Sequence, residues 1–291
     1  MTTRGSAHAL ALLLCLPAVS LSQTPPTRLH QLAFAPPTGA TLIYSLTSRL
    51  SSEGKSFLGE SLTLGTQAAG ELDLFVRQKS AGNVFVDLSS PGIRVSLQVL
   101  DRQDDFTLEA PADDPVRMVL DPACRVLSVG NAEKLEERNP MNFSVLDLLR
   151  NSLPALPDRP VSTGDTWQDH KRLQIPFQGM RLLIEIETTY ELRDVSPTPD
   201  GELALVATTY SVRLSGSREV ENVSGSFEGR GAGTGILNFL IDKGYFSDYR
   251  LDYSIDGNMV VGRGETRLAE WPFTLTQSAA LTLVEWRQAG P

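Results

Sequence analysis

The sequence predicts a mainly β protein: a curved antiparallel sheet built from two similar halves, with one short helix at about residues 143–152. Apolar side chains recur at every second position in many runs, which is typical of strands with one buried face. Turn residues separate these runs at intervals too short for the crossovers that parallel strands require. The chain has 291 residues, 41% of them hydrophobic, which is enough for one large β domain or two smaller ones.

Residues 1–22 have the pattern of a secretory signal peptide. Arg4 supplies a positive charge, residues 9–19 (ALALLLCLPAV) are apolar, and small residues up to Ser22 fit a cleavage site. The apolar stretch is too short to span a bilayer, and no later segment approaches the roughly 18 consecutive apolar residues of a transmembrane helix. The sequence therefore predicts export to the periplasm or the extracellular space, with no transmembrane anchor.

The charge balance excludes some classes of partner. The chain carries 26 Lys and Arg against 35 Asp and Glu, a formal net charge of −9. An acidic chain without a run of basic residues repels nucleic acids and anionic lipid headgroups. We therefore expect no nucleic-acid partner.

A proline-containing lead-in over residues 23–38 precedes the first β half, which is predicted over 39–130. The alternating runs of that half are Leu42/Tyr44/Leu46, Leu72/Leu74/Val76, Val84/Val86/Leu88, Ile93/Val95/Leu97/Val99 and Val116/Met118/Leu120. Residues 80–82 and 90–92 carry turn signals between runs. Cys124 is expected in a further turn between two strands, as a structural thiol; the alternatives are a reactive thiol and an intermolecular disulfide.

Residues 131–163 predict a helix followed by a linker. Ser144 is a suitable N-cap, and Val145, Leu148 and Leu149 form one apolar stripe of an amphipathic helix. Pro154 and the proline-rich sequence after it end the helix. This segment divides the two β halves, which are expected to form one continuous domain.

The second β half is predicted over residues 164–291. Its clearest strand, 182–192, has one apolar face: Leu182, Ile184, Ile186, Thr188, Tyr190 and Leu192. Residues 245–255 alternate in the same way, and turn signals occur at 198–201, 242–244 and 256–257. Both halves begin with a glycine-led strand, at Gly39 and Gly164, which agrees with an internal duplication.

Two segments carry a resemblance to a known group of proteins. Residues 153–167 have the pattern LP…PV..GD.W, and residues 229–244 combine GRGAGTG with FLIDKG. With the signal peptide, they resemble an uncharacterised family of exported, β-rich bacterial proteins of unknown function. The build of that family is similar to the lipoprotein-carrier fold of LolA and LolB, a strongly curved antiparallel sheet around helical elements. The resemblance covers most of 39–286 and implies a hydrophobic cavity, but it brings no catalytic residue.

Candidate catalytic groups are few. His170 follows Asp169, but neighbouring strand residues point to opposite faces, and no nucleophile motif accompanies them. Glu185 and Glu187 share a strand face about 7 Å apart, which an acid–base pair allows, although a solvated outer face explains them better. One histidine and one cysteine far apart make no metal-ligand spacing. No catalytic residue, metal ligand or cofactor is predicted.

A row of glycines of one parity lies between residues 225 and 235, with Phe227 in the same row. The spacing is not a dinucleotide fingerprint, because no strand-to-helix turn follows. Glycines in a strand indicate a sharp bend or close packing of another element. The alternative is a bare wall for an apolar ligand.

These observations favour a non-catalytic exported protein that binds an apolar small molecule or lipid in the concave sheet. The alternatives are a structural or protein-interaction module of the cell envelope and a hydrolase with an unrecognised site. The predicted ligand-binding residues are Leu182, Ile184, Ile186, Tyr190, Phe227, Gly231, Gly233, Tyr249 and Tyr253.

Overall fold

The computed structural model describes residues 28–55, 61–99, 102–133, 145–177, 180–220, 223–263 and 266–288. These ranges contain helix α1 (Val145–Ser152) and twelve strands. The strands are β1 (Ala40–Lys55), β2 (Ser61–Ser80), β3 (Asn83–Val99), β4 (Arg102–Ala110), β5 (Val116–Leu120), β6 (Val126–Gly130), β7 (Thr166–Phe177), β8 (Met180–Thr198), β9 (Gly201–Val220), β10 (Val223–Leu240), β11 (Tyr245–Arg263) and β12 (Thr266–Gln288). The predicted signal peptide and Ser144 lie outside the described residues.

All twelve strands belong to one antiparallel sheet, which confirms the predicted fold class. The strand order is β6-β5-β3-β2-β1-β12-β11-β10-β9-β8-β7, with β4 paired to β3 beside β5. Most neighbours are consecutive hairpins, and the first and last strands, β1 and β12, join the two halves. The sheet is not closed, because its path ends at β6 and at β7.

Helix α1 shows that the sheet is strongly curved. Ten spacings of about 4.8 Å would separate β6 from β7 by about 48 Å in a flat sheet. Helix α1 has eight residues, or about 12 Å of length, yet it contacts both β6 and β7. The two ends of the sheet must therefore approach each other, with the helix in the seam between them.

One end of the rolled sheet, here called the packed end, is closed by the lead-in and the linker. His30 exchanges backbone hydrogen bonds with Val161 of the linker. Further along, the amides of Phe34 and Ala35 donate to carbonyls in the β5–β6 and β10–β11 turns. Leu32 and Phe34 are fully buried, so the lead-in fills this end as part of the core.

The linker is fixed to the inside of β7 and β8 by side chains. Trp167 Nε1 donates to the carbonyl of Ala155 at 2.9 Å, and the amide of Ala155 donates to Tyr190 Oη at 3.1 Å. The Trp167 and Tyr190 rings stack with centroids 5.4 Å apart. Lys171 Nζ donates to the carbonyl of Leu153. These bonds hold the segment after α1 in the seam.

Most of the buried residues form one core at the packed end. It draws on nearly every strand, on the lead-in and on the linker. At its centre Tyr44 Oη donates to the carbonyl of Phe246 at 2.8 Å, and the two rings stack 5.0 Å apart. A second, smaller cluster lies further along β8–β11 around Ile255.

Two expected turns are wrong. Residues 90–92 lie within β3, where the register shifts between Ser90 and Ile93, and residues 256–257 lie within β11. Residues 90–92 thus coincide with an irregular register in β3. Gly257 lies where β11 closely approaches β10. The predicted turn around Cys124 is confirmed: it connects β5 and β6, with φ of 63° at Cys124. Within the described residues, no helix has both the length and the hydropathy to cross a membrane.

Candidate functional site

The inner face of the sheet, the side that continues the core, is the candidate site. The strand registers align its positions in rows across the sheet. One row runs Ile186–Val212–Gly231–Ile255–Leu275, from β8 to β12. All nine residues predicted from the sequence are in rows of this face, because the parity of each strand was correctly inferred.

Within that face, the predicted residues fall into two groups. Tyr190 and Tyr249 belong to the core at the packed end. Ile184 belongs to the second cluster, and Leu182, Ile186 and Tyr253 pack against it. The remaining three, Phe227, Gly231 and Gly233, lie on β10.

The glycines of β10 lie against their neighbours rather than facing empty space. A Cβ atom on Gly231 would be 2.0 Å from the carbonyl oxygen of Ser254, and one on Gly233 would be 2.2 Å from that of Asp252. Real Cβ atoms keep far larger separations, so only glycine fits the close approach of β10 to β11. Of the two interpretations of the row, close packing is what the structure shows at these positions.

Side chains of neighbouring strands extend over the glycine row. Tyr210 on β9 and Tyr249 on β11 meet across β10, with their hydroxyls 3.1 Å apart. Phe227 and Phe273 meet above Gly257, with ring centroids 5.8 Å apart. The buried members of the second cluster are Ile184, Tyr210, Val212, Leu214 and Ile255. This part of the inner face is thus filled by its own side chains.

The inner face of β1–β4 and β12, here called the first-half face, differs. Val95 is buried, but most of its apolar side chains between the core and the far end are only partly buried: Leu46, Leu50, Leu64, Ile93, Leu97, Phe106, Leu108 and Leu275, the last of which packs against the second cluster. In the described part of the chain, no segment packs over them as the lead-in does at the packed end. The alternating runs of these strands were predicted from the sequence as strands but not as a ligand site. The signal was the same as in β8, with apolar residues at every second position.

On β7–β9 the inner face carries several polar groups. Asp169 and Lys171 are neighbours on β7, with Lys171 Nζ 3.8 Å from Asp169 Oδ2. Burial lowers the pKa of Lys171, and the nearby carboxylate of Asp169 opposes that shift. Thr208 Oγ1 donates to Tyr210 Oη at 2.9 Å. These groups satisfy one another, as buried polar groups must.

Two groups considered for catalysis are unsuited to it in this structure. Cys124 is buried, which raises the pKa of its thiol to about 12, and a thiol in that state is a poor nucleophile. His170 is exposed on the outer face, directly opposite Glu187, in a concavity of about 380 Å³. Ser211 is opposite Glu187 on the other side, so the carboxylate rather than the imidazole is beside the hydroxyl. Nowhere in the described ranges do three His, Cys, Asp or Glu residues gather as a metal site would require.

Comparison with known proteins gives no family. No protein-family model matches the chain, and no curated protein matches it. Among solved structures, a lipovitellin described for its lipid–protein interactions aligns with a TM-score of 0.45 and 12% identity, over 89% of this chain and 26% of that one. This chain thus spans about a quarter of the lipovitellin chain.

Two outer membrane proteins align less well. A channel from Pseudomonas putida F1 gives a TM-score of 0.17 with 9% identity over 86% of this chain and 97% of the channel. The protein opdK from Pseudomonas aeruginosa gives 0.14 with 8% identity over 82% of this chain and 98% of opdK. These are β-rich proteins of lipid or membrane context, and at such scores the alignments carry no functional argument.

Proposed function

We propose that this is an exported, non-catalytic protein that holds a lipid-like ligand against the first-half face. One observation carries the proposal: the apolar inner face continues beyond the core on β1–β4 and β12, where its side chains remain partly exposed. A contiguous apolar surface of this kind on a soluble protein marks a site for an apolar partner. Burying this apolar surface contributes about 25 cal/mol of favourable free energy for each Å² removed from water.

The dimensions of the face suit an acyl chain. From Leu46 to Ser52, six residue-to-residue steps along β1 extend about 20 Å at about 3.3 Å per step. The acyl layer of one bilayer leaflet is about 15 Å thick, half of a hydrocarbon core of about 30 Å. Five strands about 4.8 Å apart give a width of about 19 Å. One or two acyl chains therefore fit along the strands.

The chemistry of the face also suits an acyl chain. The central inner positions of β1, β2 and β12 carry no charged residue: Leu46, Ser48, Leu50, Ser52, Leu64, Thr66, Ala68, Gly70, Leu275, Gln277, Ala279 and Leu281. Gln277 Nε2 donates to Ser48 Oγ at 2.9 Å, so even these polar side chains partner each other. A ligand here would need apolar surface and few polar groups.

This proposal moves the ligand away from the residues predicted from the sequence. Those residues belong to β8, β10 and β11, where side chains of adjacent strands already occupy the inner face. A ligand there would have to displace Tyr210 or Phe273 from packed positions, which costs the contacts they make. The first-half face requires no such displacement.

Native mass spectrometry of the exported chain, purified without detergent, tests the proposal. We expect additional mass in the range of a fatty acid or phospholipid that disappears after organic extraction. A bare chain mass, together with no uptake when the protein is incubated with fatty acid, would refute it. That outcome would favour the structural or protein-interaction alternative.

A matched pair of variants on β1 tests the place of binding. Leu50→Gln puts an amide in the middle of the first-half face, and Thr47→Gln puts the same group on the exposed outer face of the same strand. We expect several-fold less bound lipid with Leu50→Gln and no change with Thr47→Gln. Circular dichroism confirms that both variants are folded; equal lipid content in the two folded variants would contradict the assigned face.

Export has its own test, because it rests on the pattern of residues 1–22 alone. The intact mass of the protein recovered from the periplasmic or extracellular fraction should correspond to a chain that begins near Gln23. Recovery of the full-length chain only from the cytoplasm would contradict this part of the proposal.

A further inference from the structure

A small group of uncharged polar side chains lies where the first-half face meets the second cluster. This group, here called the polar spot, consists of Tyr253 on β11, Gln277 on β12 and Ser48 on β1. Tyr253 and Gln277 are directly opposite each other in the antiparallel register. Gln277 Nε2 donates to Ser48 Oγ on the next strand, while Tyr253 packs against the second cluster. The polar spot therefore interrupts an apolar surface that continues on both sides of it.

Two atoms of the polar spot are available for a ligand. Among the residues that the structure describes, the Tyr253 hydroxyl has no hydrogen-bond partner, and Gln277 uses only its Nε2. Both side chains are partly buried, but neither Tyr253 Oη nor Gln277 Oε1 is a fully enclosed atom. Burial raises the pKa of Tyr253 to about 12, so the hydroxyl keeps its proton and can donate it. The polar spot thus offers one free donor and one free acceptor.

The inner face around the polar spot is uncharged. The register continues its row through Leu50 on β1, Thr66 on β2 and Leu97 on β3. The described inner positions in the two flanking rows, from β11 to β2, are Leu251, Ile255, Leu275, Ala279, Ser52, Leu64 and Ala68. Burying an ionised group without a counter-charge costs far more than burying a neutral polar group that gains hydrogen bonds. The surroundings therefore favour an uncharged polar group.

We propose that the ligand of the first-half face is an uncharged lipid whose hydroxyl or amide group binds at the polar spot. Tyr253 Oη donates to the oxygen of that group, and Gln277 Oε1 accepts its hydrogen. The hydrocarbon chain lies along the strands, on the partly buried leucines of β1 and β2. This inference rests on the proposed lipid site and adds the class of lipid that the site takes.

Two ligands with the same hydrocarbon length, 1-decanol and decanoate, test the class of lipid. At pH 8 the carboxyl group of decanoate is ionised, so the pair compares a neutral polar group with an anion. Displacement of a bound fluorescent lipid measures both dissociation constants. We expect decanol to bind at least about tenfold more tightly, because the carboxylate loses water without gaining a counter-charge. Equal affinities, or tighter binding of decanoate, would overturn the inference, since the polar group would then lie outside the face.

The variants Tyr253→Phe and Tyr245→Phe test where the polar group binds. Each removes a hydroxyl that has no described hydrogen bond, but Tyr245 belongs to the core at the packed end. Tyr253→Phe should weaken decanol binding about fivefold, as the loss of one hydrogen bond does, and leave decanoate binding unchanged. Tyr245→Phe should change neither dissociation constant by more than about twofold. Equal effects of the two substitutions on decanol binding would contradict the assigned position.

A third variant, Gln277→Lys, supplies the positive charge that the face lacks. Decanoate should then bind at least as tightly as decanol, because the new ammonium group pairs with the carboxylate. An unchanged preference for decanol would contradict the position assigned to Gln277. If neither ligand binds the original protein and no fluorescent lipid is retained, the lipid site itself is refuted. Binding of both ligands without preference refutes only the class of lipid, so the two failures are distinguishable.

Discussion

Replacing Gly233 by alanine should test the close approach of β10 to β11 directly. The new Cβ would lie 2.2 Å from the carbonyl oxygen of Asp252 and 2.4 Å from the Cβ of Tyr253. Carbon atoms in contact prefer about 3.5–4.0 Å. The two strands must therefore separate locally by about 1 Å to admit a single methyl group.

The size of the effect follows from that separation. Lengthening backbone N···O distances by about 1 Å takes them beyond the range of a hydrogen bond, and two such bonds contribute about 1 kcal/mol each. Forced overpacking adds about 1–3 kcal/mol. Reduced freedom of the unfolded chain offsets about 0.4–1 kcal/mol of the loss. We expect the free energy of unfolding to fall by about 2–4 kcal/mol.

Urea unfolding measures the change, with Gly65→Ala as the control. A Cβ on Gly65 of β2 would meet its nearest neighbour, Gln98 Cβ, at 3.7 Å, which is an ordinary contact. The control should leave the free energy of unfolding within about 1 kcal/mol of the original. If Gly233→Ala proved as harmless as Gly65→Ala, β10 and β11 would not be in close contact, and the glycine row would regain its interpretation as a bare wall for a ligand.

Three further outcomes are expected. Tyr44→Phe removes the hydrogen bond to the carbonyl of Phe246 and should lower the free energy of unfolding, measured in urea, by about 1–2 kcal/mol. Tyr245→Phe is the control, because it removes a hydroxyl without a described hydrogen bond, and it should lower the free energy of unfolding clearly less. Equal losses of stability in the two variants would contradict the assigned hydrogen bond. Burial raises the pKa of Tyr44 and Tyr249 well above its ordinary value, so the folded state binds more protons than the unfolded state above pH about 10. The stabilisation is complete below that pH and is lost as pH rises towards the folded-state pKa, by about 1.4 kcal/mol per pH unit for each tyrosine; a flat stability profile between about pH 9 and 11 would count against this burial. Cys124, whose pKa burial raises to about 12, should react with a thiol reagent at neutral pH only after unfolding, and rapid modification of the native protein would show that it is accessible.

The proposed lipid site follows from a general feature of the sheet. Each strand has an apolar face and a polar face, and the sheet is long enough to extend beyond what its core covers. On the inner side this leaves the first-half face partly exposed.

The helix was predictable because its signals are local. A stripe of Val145, Leu148 and Leu149 between a capping residue and Pro154 needs no information from distant residues, and α1 appears at Val145–Ser152. The turns at 90–92 and 256–257 were predicted wrongly for the opposite reason. Glycine and proline favour turns, but within a long sheet, pairing with two neighbours keeps the strand continuous through them.

The alternation in the sequence was enough to predict most of the strands, their antiparallel pairing and the face of the sheet on which their side chains lie, because a period of two residues records which side is buried. The nine residues predicted as a ligand site do share one face of the sheet. The pairing of β1 with β12, and the packing of neighbouring side chains around the glycines of β10, became visible only in the folded structure. Alternation specifies a face but not its neighbours: curvature and register arise from contacts between residues far apart in the chain, and these decide which part of an apolar face remains accessible.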